Sequence, residues 1–345
     1  MGVDANLVGL FKAELELCKV GPGETVSVLS EGEVRADYAQ AFLLAAQQLG
    51  ATAFHVNVPP KVASQGFAGN MGKTAIAGNR AAIEALKSSD IVIDLMFLLF
   101  SEEQLEITNS GTRMLLVLEP VEVLSRMFPD NDLRKRVEFG ADLLRKAEQL
   151  HITSPSGTDI IYKLGNYPVI TEYGFTDEPG RWDHWPSGFL FTGGDDEGVD
   201  GTVVLAPGDI ICAFRRYVEN PVRLTVERGF VTEIEGTGLE ASLLRNYMAS
   251  FNDKRAYAIS HIGWGLNQLA DWHHMAVADP QQEIGMDALA FYGNILFSTG
   301  PNQELGGTND TPCHLDIPLR DCSLRLDDME IVNAGRVVPA EMQAP

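Results

Sequence analysis

The chain has 345 residues, 45% of them hydrophobic and 21% charged, which is long enough for two cores and ordinary for a folded soluble protein. Its 26 basic and 48 acidic residues leave a net charge of -22, which argues against sequence-independent binding to nucleic acid or to an anionic membrane surface. The longest apolar run, 91–100, is short and carries Asp94, far below a bilayer span.

The start of the chain lacks the basic residues of a signal peptide. The four cysteines, at 18, 212, 313 and 322, have no C-x-x-C spacing. Reduced thiols and a cytoplasmic location are therefore expected. Up to about residue 150, helical and strand patterns alternate, predicting a doubly wound α/β domain over 1–150 with a mainly parallel sheet. Helices are predicted at 7–18, 38–49 and around 81–86, and strands at 25–29, 52–58, 91–99 and 113–118. Ser101 and Gln104 fit a capping box opening the next helix, and a long charged helix is predicted over 132–150. Beyond it, short β-like runs at 168–173, 201–205, 223–226 and 230–234 lie between Gly and Asp turns. They predict a strand-rich α+β domain over 151–345 that carries the metal-ligand candidates. The acidic stretch 193–201 lacks the carboxylate register of a calcium loop and reads as a solvated hairpin tip.

Three motifs in the second half carry chemistry. In Thr311-Pro312-Cys313-His314-Leu315-Asp316-Ile317-Pro318, a strand period of two sends His314 and Asp316 to one face, while Cys313, Leu315 and Ile317 turn away to pack. A metal needs a third ligand, and His261, set among small residues in Ser260-His261-Ile262-Gly263, has the most suggestive surroundings. Two His and one carboxylate form the open ligand set of non-haem Fe(II) oxygenases. The competing account is a pair of core histidines satisfied by ordinary hydrogen bonds. Trp182-Asp183-His184-Trp185 suits a pocket for a flat ring, or equally a partly buried aromatic corner. Trp272-His273-His274 places adjacent imidazoles about 100° apart on a helix, a poor chelate.

The runs YGFTDEPGRWDHWPSG (173–188), SHIGWGL (260–266), FYGNILFSTGPN (291–302) and TPCHLD (311–316) resemble the 2,5-dihydroxypyridine 5,6-dioxygenase family of bacterial nicotinate breakdown. The resemblance runs nearly end to end. It implies a mononuclear Fe(II) held by His261, His314 and Asp316, with a hydroxylated pyridine ring opened by O2. It also implies that Glu172, His184 and Ser298 line the substrate pocket and serve catalysis, and that the fold looks like that of the thermophilic metalloaminopeptidases. The implied partners are a small aromatic N-heterocycle and O2. Self-association into a homo-oligomer is expected, with no nucleic-acid or membrane partner.

One position departs from the family. Where the dioxygenases carry a pocket histidine expected to act as acid or base, this chain has Phe100, which is expected to face the substrate from the end of the 91–99 strand. A phenyl ring moves no proton. Either the substrate differs from 2,5-dihydroxypyridine and is a close relative of it, or His184 or a water takes the proton role, or the activity has been lost. The rival enzyme class is an aminopeptidase-like hydrolase with two bridged ions. Its pattern places a glutamate where this chain has His261 and a histidine near Tyr292-Gly293-Asn294, so the carboxylates it needs are missing.

Overall fold

The computed structural model describes residues 4–60, 72–99, 101–279 and 284–345. These divide into two compact units, one running to residue 129 and taking in 173–187, the other formed by 130–172 and 188–345.

The first unit is built on a five-stranded sheet in the order Thr52–Val58, Thr25–Glu31, Ile91–Asp94, Arg113–Val117, Trp182–Trp185. Every neighbouring pair is parallel. Its central strands are continuous apolar runs buried along their length, as a sheet covered on both faces requires. The helices begin where the chain offers caps: the side chains of Asp4, Asn79 and Ser101 accept N–H groups of Asn6, Ala82 and Gln104. The third strand is shorter than its apolar run suggests. Asp94 is fully buried, and its carboxylate accepts the N–H groups of Met96 and Leu98 at 2.9 and 2.7 Å. The chain therefore turns out of the sheet, passing through a positive φ of 68° at Phe97, before the predicted strand end at 99. Burial holds Asp94 up at about 6 against these hydrogen bonds. Phe100 lies outside the described residues.

The second unit opens with the helix Asn131–Leu144, capped by Asp130. It stops short of residue 150 because Gln149–Thr153 is claimed as a strand between Asp159–Lys163 and Ser323–Leu326. That strand belongs to an eight-stranded sheet, which is antiparallel throughout. A second, five-stranded antiparallel sheet is ordered Leu315–Leu319, Ile295–Thr299, Ile259–Gly265, Phe189–Gly193, Ile170–Glu172. The acidic stretch after Gly193 is not a hairpin tip. Phe189–Gly193 and Val199–Leu205 lie in different sheets, so the segment carries the chain from one to the other. All four cysteines are buried, and none is joined in a disulfide. No helix among the described residues is long and apolar enough to cross a membrane.

Candidate metal centre

The five-stranded sheet of the second unit gathers most of the residues singled out in the sequence. Asp316 stands directly opposite Ser298 on the neighbouring strand, and His261 lies on the strand beyond. Between Ile259 and Ile262 that strand carries one more residue than its partner, a β-bulge. The bulge is stabilised from both sides. His261 donates its backbone N–H to Ser298 Oγ at 3.0 Å, and Ser260 Oγ donates to the carbonyl of Pro301. His314 precedes the edge strand Leu315–Leu319, and Cys313, Leu315 and Ile317 are buried on the other side, as the period of two predicts.

The three side chains meet. Asp316 Oδ1 is 3.1 Å from His261 Nε2, and Asp316 Oδ2 is 3.1 Å from His314 Nε2. All three ligand atoms lie within 4.8 Å of one another, and the histidines are buried. This is the one such cluster of His, Cys, Asp and Glu among the described residues. Ligands held about 2.1 Å from an ion stand about 3.0 Å apart along the edge of an octahedron, so the spacing suits a divalent metal. Burial alone would raise the Asp316 carboxyl, but the two imidazoles outweigh it and hold it far below the usual carboxylate range. Burial likewise opposes charge on His261, yet hydrogen bonding to Asp316 and then to Glu304 lifts it well above an ordinary histidine. One half-buried carboxylate with two buried imidazoles is a donor set that a metal would satisfy.

Glu304 escaped sequence reasoning. Its Oε1 lies 3.3 Å from His261 Nδ1, on the ring edge opposite Asp316. It comes from the short turn Gln303–Leu305, where no periodic pattern marks it, and its partner is distant in sequence. Phe191 packs diagonally across the sheet against His261, ring centroids 4.8 Å apart.

The other predicted pocket residues fall as follows. Glu172 is buried at the end of the edge strand Ile170–Glu172. His184 sits in the first unit, on the strand Trp182–Trp185. It is 3% exposed, and its Nε2 is buried with no hydrogen-bond partner among the described residues. Burial pushes its pKa down to about 3, so the ring is neutral. A neutral buried imidazole with an unsatisfied nitrogen is a group awaiting a ligand or a water. Trp272 is buried beside Phe291, and His273 and His274 take no part in the metal cluster.

A model of the family described as 2,5-dihydroxypyridine 5,6-dioxygenase matches residues 6–339. The chain belongs to that family. It is 48% identical over 342 residues to the 2,5-dihydroxypyridine 5,6-dioxygenase of Pseudomonas putida KT2440, covering 98% of this chain and 97% of the relative. The solved structure of a 2,5-dihydroxypyridine dioxygenase from the same strain superposes with a TM-score of 0.96 at 47% identity, over 98% of this chain and 99% of that one. Wild-type AmpT from Thermus thermophilus shares the fold at a TM-score of 0.65 and 16% identity, over 97% of this chain and 99% of its own. The fold implied by the resemblance to dioxygenases and thermophilic metalloaminopeptidases is thus the one observed. As a member of the dioxygenase family, the chain is an enzyme.

Proposed function

We propose that the chain is a mononuclear non-haem Fe(II) dioxygenase that opens the ring of 2,5-dihydroxypyridine, or of a close relative, with O2. The observation that carries this reading is the cluster of two buried histidines, His261 and His314, with the half-buried Asp316 in a chain of this family. These three would hold Fe(II) on one side and leave the remaining positions to substrate and oxygen. Bound there, Fe(II) would supply the electrons that activation of O2 requires.

The other residues of this reading have their own tasks. Ser298 holds the His261 backbone in its bulge by accepting the N–H, and its own proton is left to reach the substrate. His184, neutral over the working pH range, orients the ring by hydrogen bonding without adding charge. With Glu172, it is one of the groups in this set that can exchange a proton where Phe100 cannot. Glu172 contributes a buried carboxyl to the ring edge. The same reading expects a cytoplasmic homo-oligomer with a small N-heterocycle and O2 as its partners.

A peptidase reading is disfavoured, because two ions need bridging carboxylates and the cluster offers Asp316 alone. The test is anaerobic reconstitution with Fe(II), metal analysis, and oxygen uptake on a series of hydroxypyridines. Expected are one iron per chain and O2 uptake matching loss of the ring chromophore. Absence of uptake on every ring, with release of amino acids from peptides under Co²⁺ or Zn²⁺, would reverse the assignment.

A further inference from the structure

We infer that Glu304 is a positioning residue, which fixes the tautomer and ring orientation of His261 so that Nε2 is presented to the ion. The inference rests on the metal-site reading above and extends it to a residue that supplies no ligand atom.

The argument starts from the imidazole. A neutral histidine carries one N–H and one lone pair, and the hydrogen bond on one nitrogen decides which nitrogen is free to bind metal. His261 Nε2 faces Asp316 at 3.1 Å, inside the ligand cluster. Its Nδ1 faces Glu304 Oε1 at 3.3 Å. The two nitrogens lie on opposite edges of the ring, so one ion cannot use both, and Glu304 is on the wrong side to be a ligand to that ion. Ser260 Oγ also lies 3.5 Å from Nδ1. Its own proton is committed to the Pro301 carbonyl, so Oγ can only accept from Nδ1–H, and Glu304 is the charged acceptor beside it. Glu304 Oε1 is itself buried and has no formed hydrogen bond among the described residues; the charged contact with His261 Nδ1 at 3.3 Å is its pairing. A carboxylate oxygen is costly to bury without a donor, and the His261 N–H is the donor within reach.

The surrounding chain holds Glu304 in place. Asn302 ties both ends of the turn: its carbonyl accepts the N–H groups of Leu305 and Gly307, and its side-chain Oδ1 accepts that of Asn309 at 2.9 Å. Gly193, the register partner of His261, leaves room for the turn. A Cβ there would stand 3.1 Å from Leu305 Cδ1 and 2.9 Å from Tyr167 Cδ2. The strand next to the ligand is thus shaped to admit the residue adjoining Glu304.

The experiment compares Fe(II) affinity of apo wild type, Glu304→Ala and Glu304→Gln by anaerobic competition with a chelator, with circular dichroism of each apo protein as the folding control. Loss of such a partner typically weakens metal binding about 10- to 100-fold. That loss is expected for Glu304→Ala, with Glu304→Gln, which keeps an acceptor oxygen, recovering most of it. In Zn²⁺-loaded wild type, two-bond ¹H–¹⁵N correlation NMR should show His261 protonated on Nδ1. A folded Glu304→Ala protein with wild-type affinity, or a wild-type His261 carrying its proton on Nε2, overturns the inference. Should the alanine variant fail to fold, the glutamine variant and the wild-type tautomer decide. A wild type that takes up no ion overturns the proposed function as well, whereas equal affinity in wild type and variant overturns this inference alone.

Discussion

At His261 two hydrogen bonds meet that belong to different layers of the structure: Ser298 takes the backbone N–H and Asp316 faces the side chain. The first can be tested without substrate or metal. Ser298→Ala leaves a buried N–H without its acceptor, which costs about 1–3 kcal/mol. We expect the chelator-treated variant to unfold at lower urea than wild type. Equal midpoints and slopes would show that Ser298 does not support the bulge. His184 gives a second residue-scale test, through pH. Its folded pKa of about 3 lies below the ordinary histidine value of 6.5, so on acidification the unfolded chain takes up a proton that the folded one refuses. The stability term is complete above 6.5 and is lost as pH falls toward 3. Between pH 6.5 and 5 this amounts to about 2 kcal/mol. Wild type should lose that much more stability over the interval than His184→Phe, which has nothing to protonate. Parallel pH profiles would mean that the imidazole is not held neutral. At this scale His314 and Asp316 were legible because one strand period joins them, and His261 because of its small neighbours. Glu304 was not, since only the fold brings its turn to Nδ1.

Elements were legible where their burial is uniform. The strands at 25, 91 and 113 are buried along nearly their whole length and form the parallel sheet with Thr52–Val58, an edge strand exposed or half-buried up to Val58. The run from 91 was over-read by five residues, because hydrophobicity continues through Leu95–Leu99 while the Asp94 carboxylate has already turned the backbone. Trp182–Trp185 was read as a pocket motif rather than a strand, since its four residues are two aromatics, an acid and an imidazole with no alternation. It becomes the fifth parallel strand only because Arg113–Val117 offers an open edge. The close fit of elements around the metal cluster shows at Gly300, which follows the strand Ile295–Thr299 with φ at +117°. A Cβ there would stand 2.0 Å from the Cys313 carbonyl oxygen, next to His314. Backbone cannot yield as a side chain does. Gly300→Ala should therefore cost about 3 kcal/mol or more and weaken metal binding along with stability, both read from calorimetry and chelator competition. A variant with an unchanged melting temperature would show that the two segments are not so closely packed.

For the whole molecule, the class of fold and the family could be read from contiguous motifs, but the division of later strands into two antiparallel sheets could not. A period of two shows which side of a strand is buried and says nothing about which strand lies beside it. Charge acts at the same scale. With 48 acidic residues, the surface attracts divalent cations diffusely, so metal uptake alone is weak evidence for a site. Linkage separates the two. His261, His314 and Asp316 come from two strands of one sheet and the residue leading into one of them, and an ion bound to all three ties those segments together in the folded state alone. At a free concentration 100 times its dissociation constant, such an ion adds about 2.7 kcal/mol to stability. Diffuse binding acts on wild type and His314→Ala alike, whereas the site-bound ion acts on wild type only. We therefore expect anaerobic Fe(II) to raise the melting temperature of wild type clearly above that of His314→Ala under the same conditions, with chelator abolishing the difference. Equal shifts in the two proteins would mean that the ion is held by surface charge and not by this cluster.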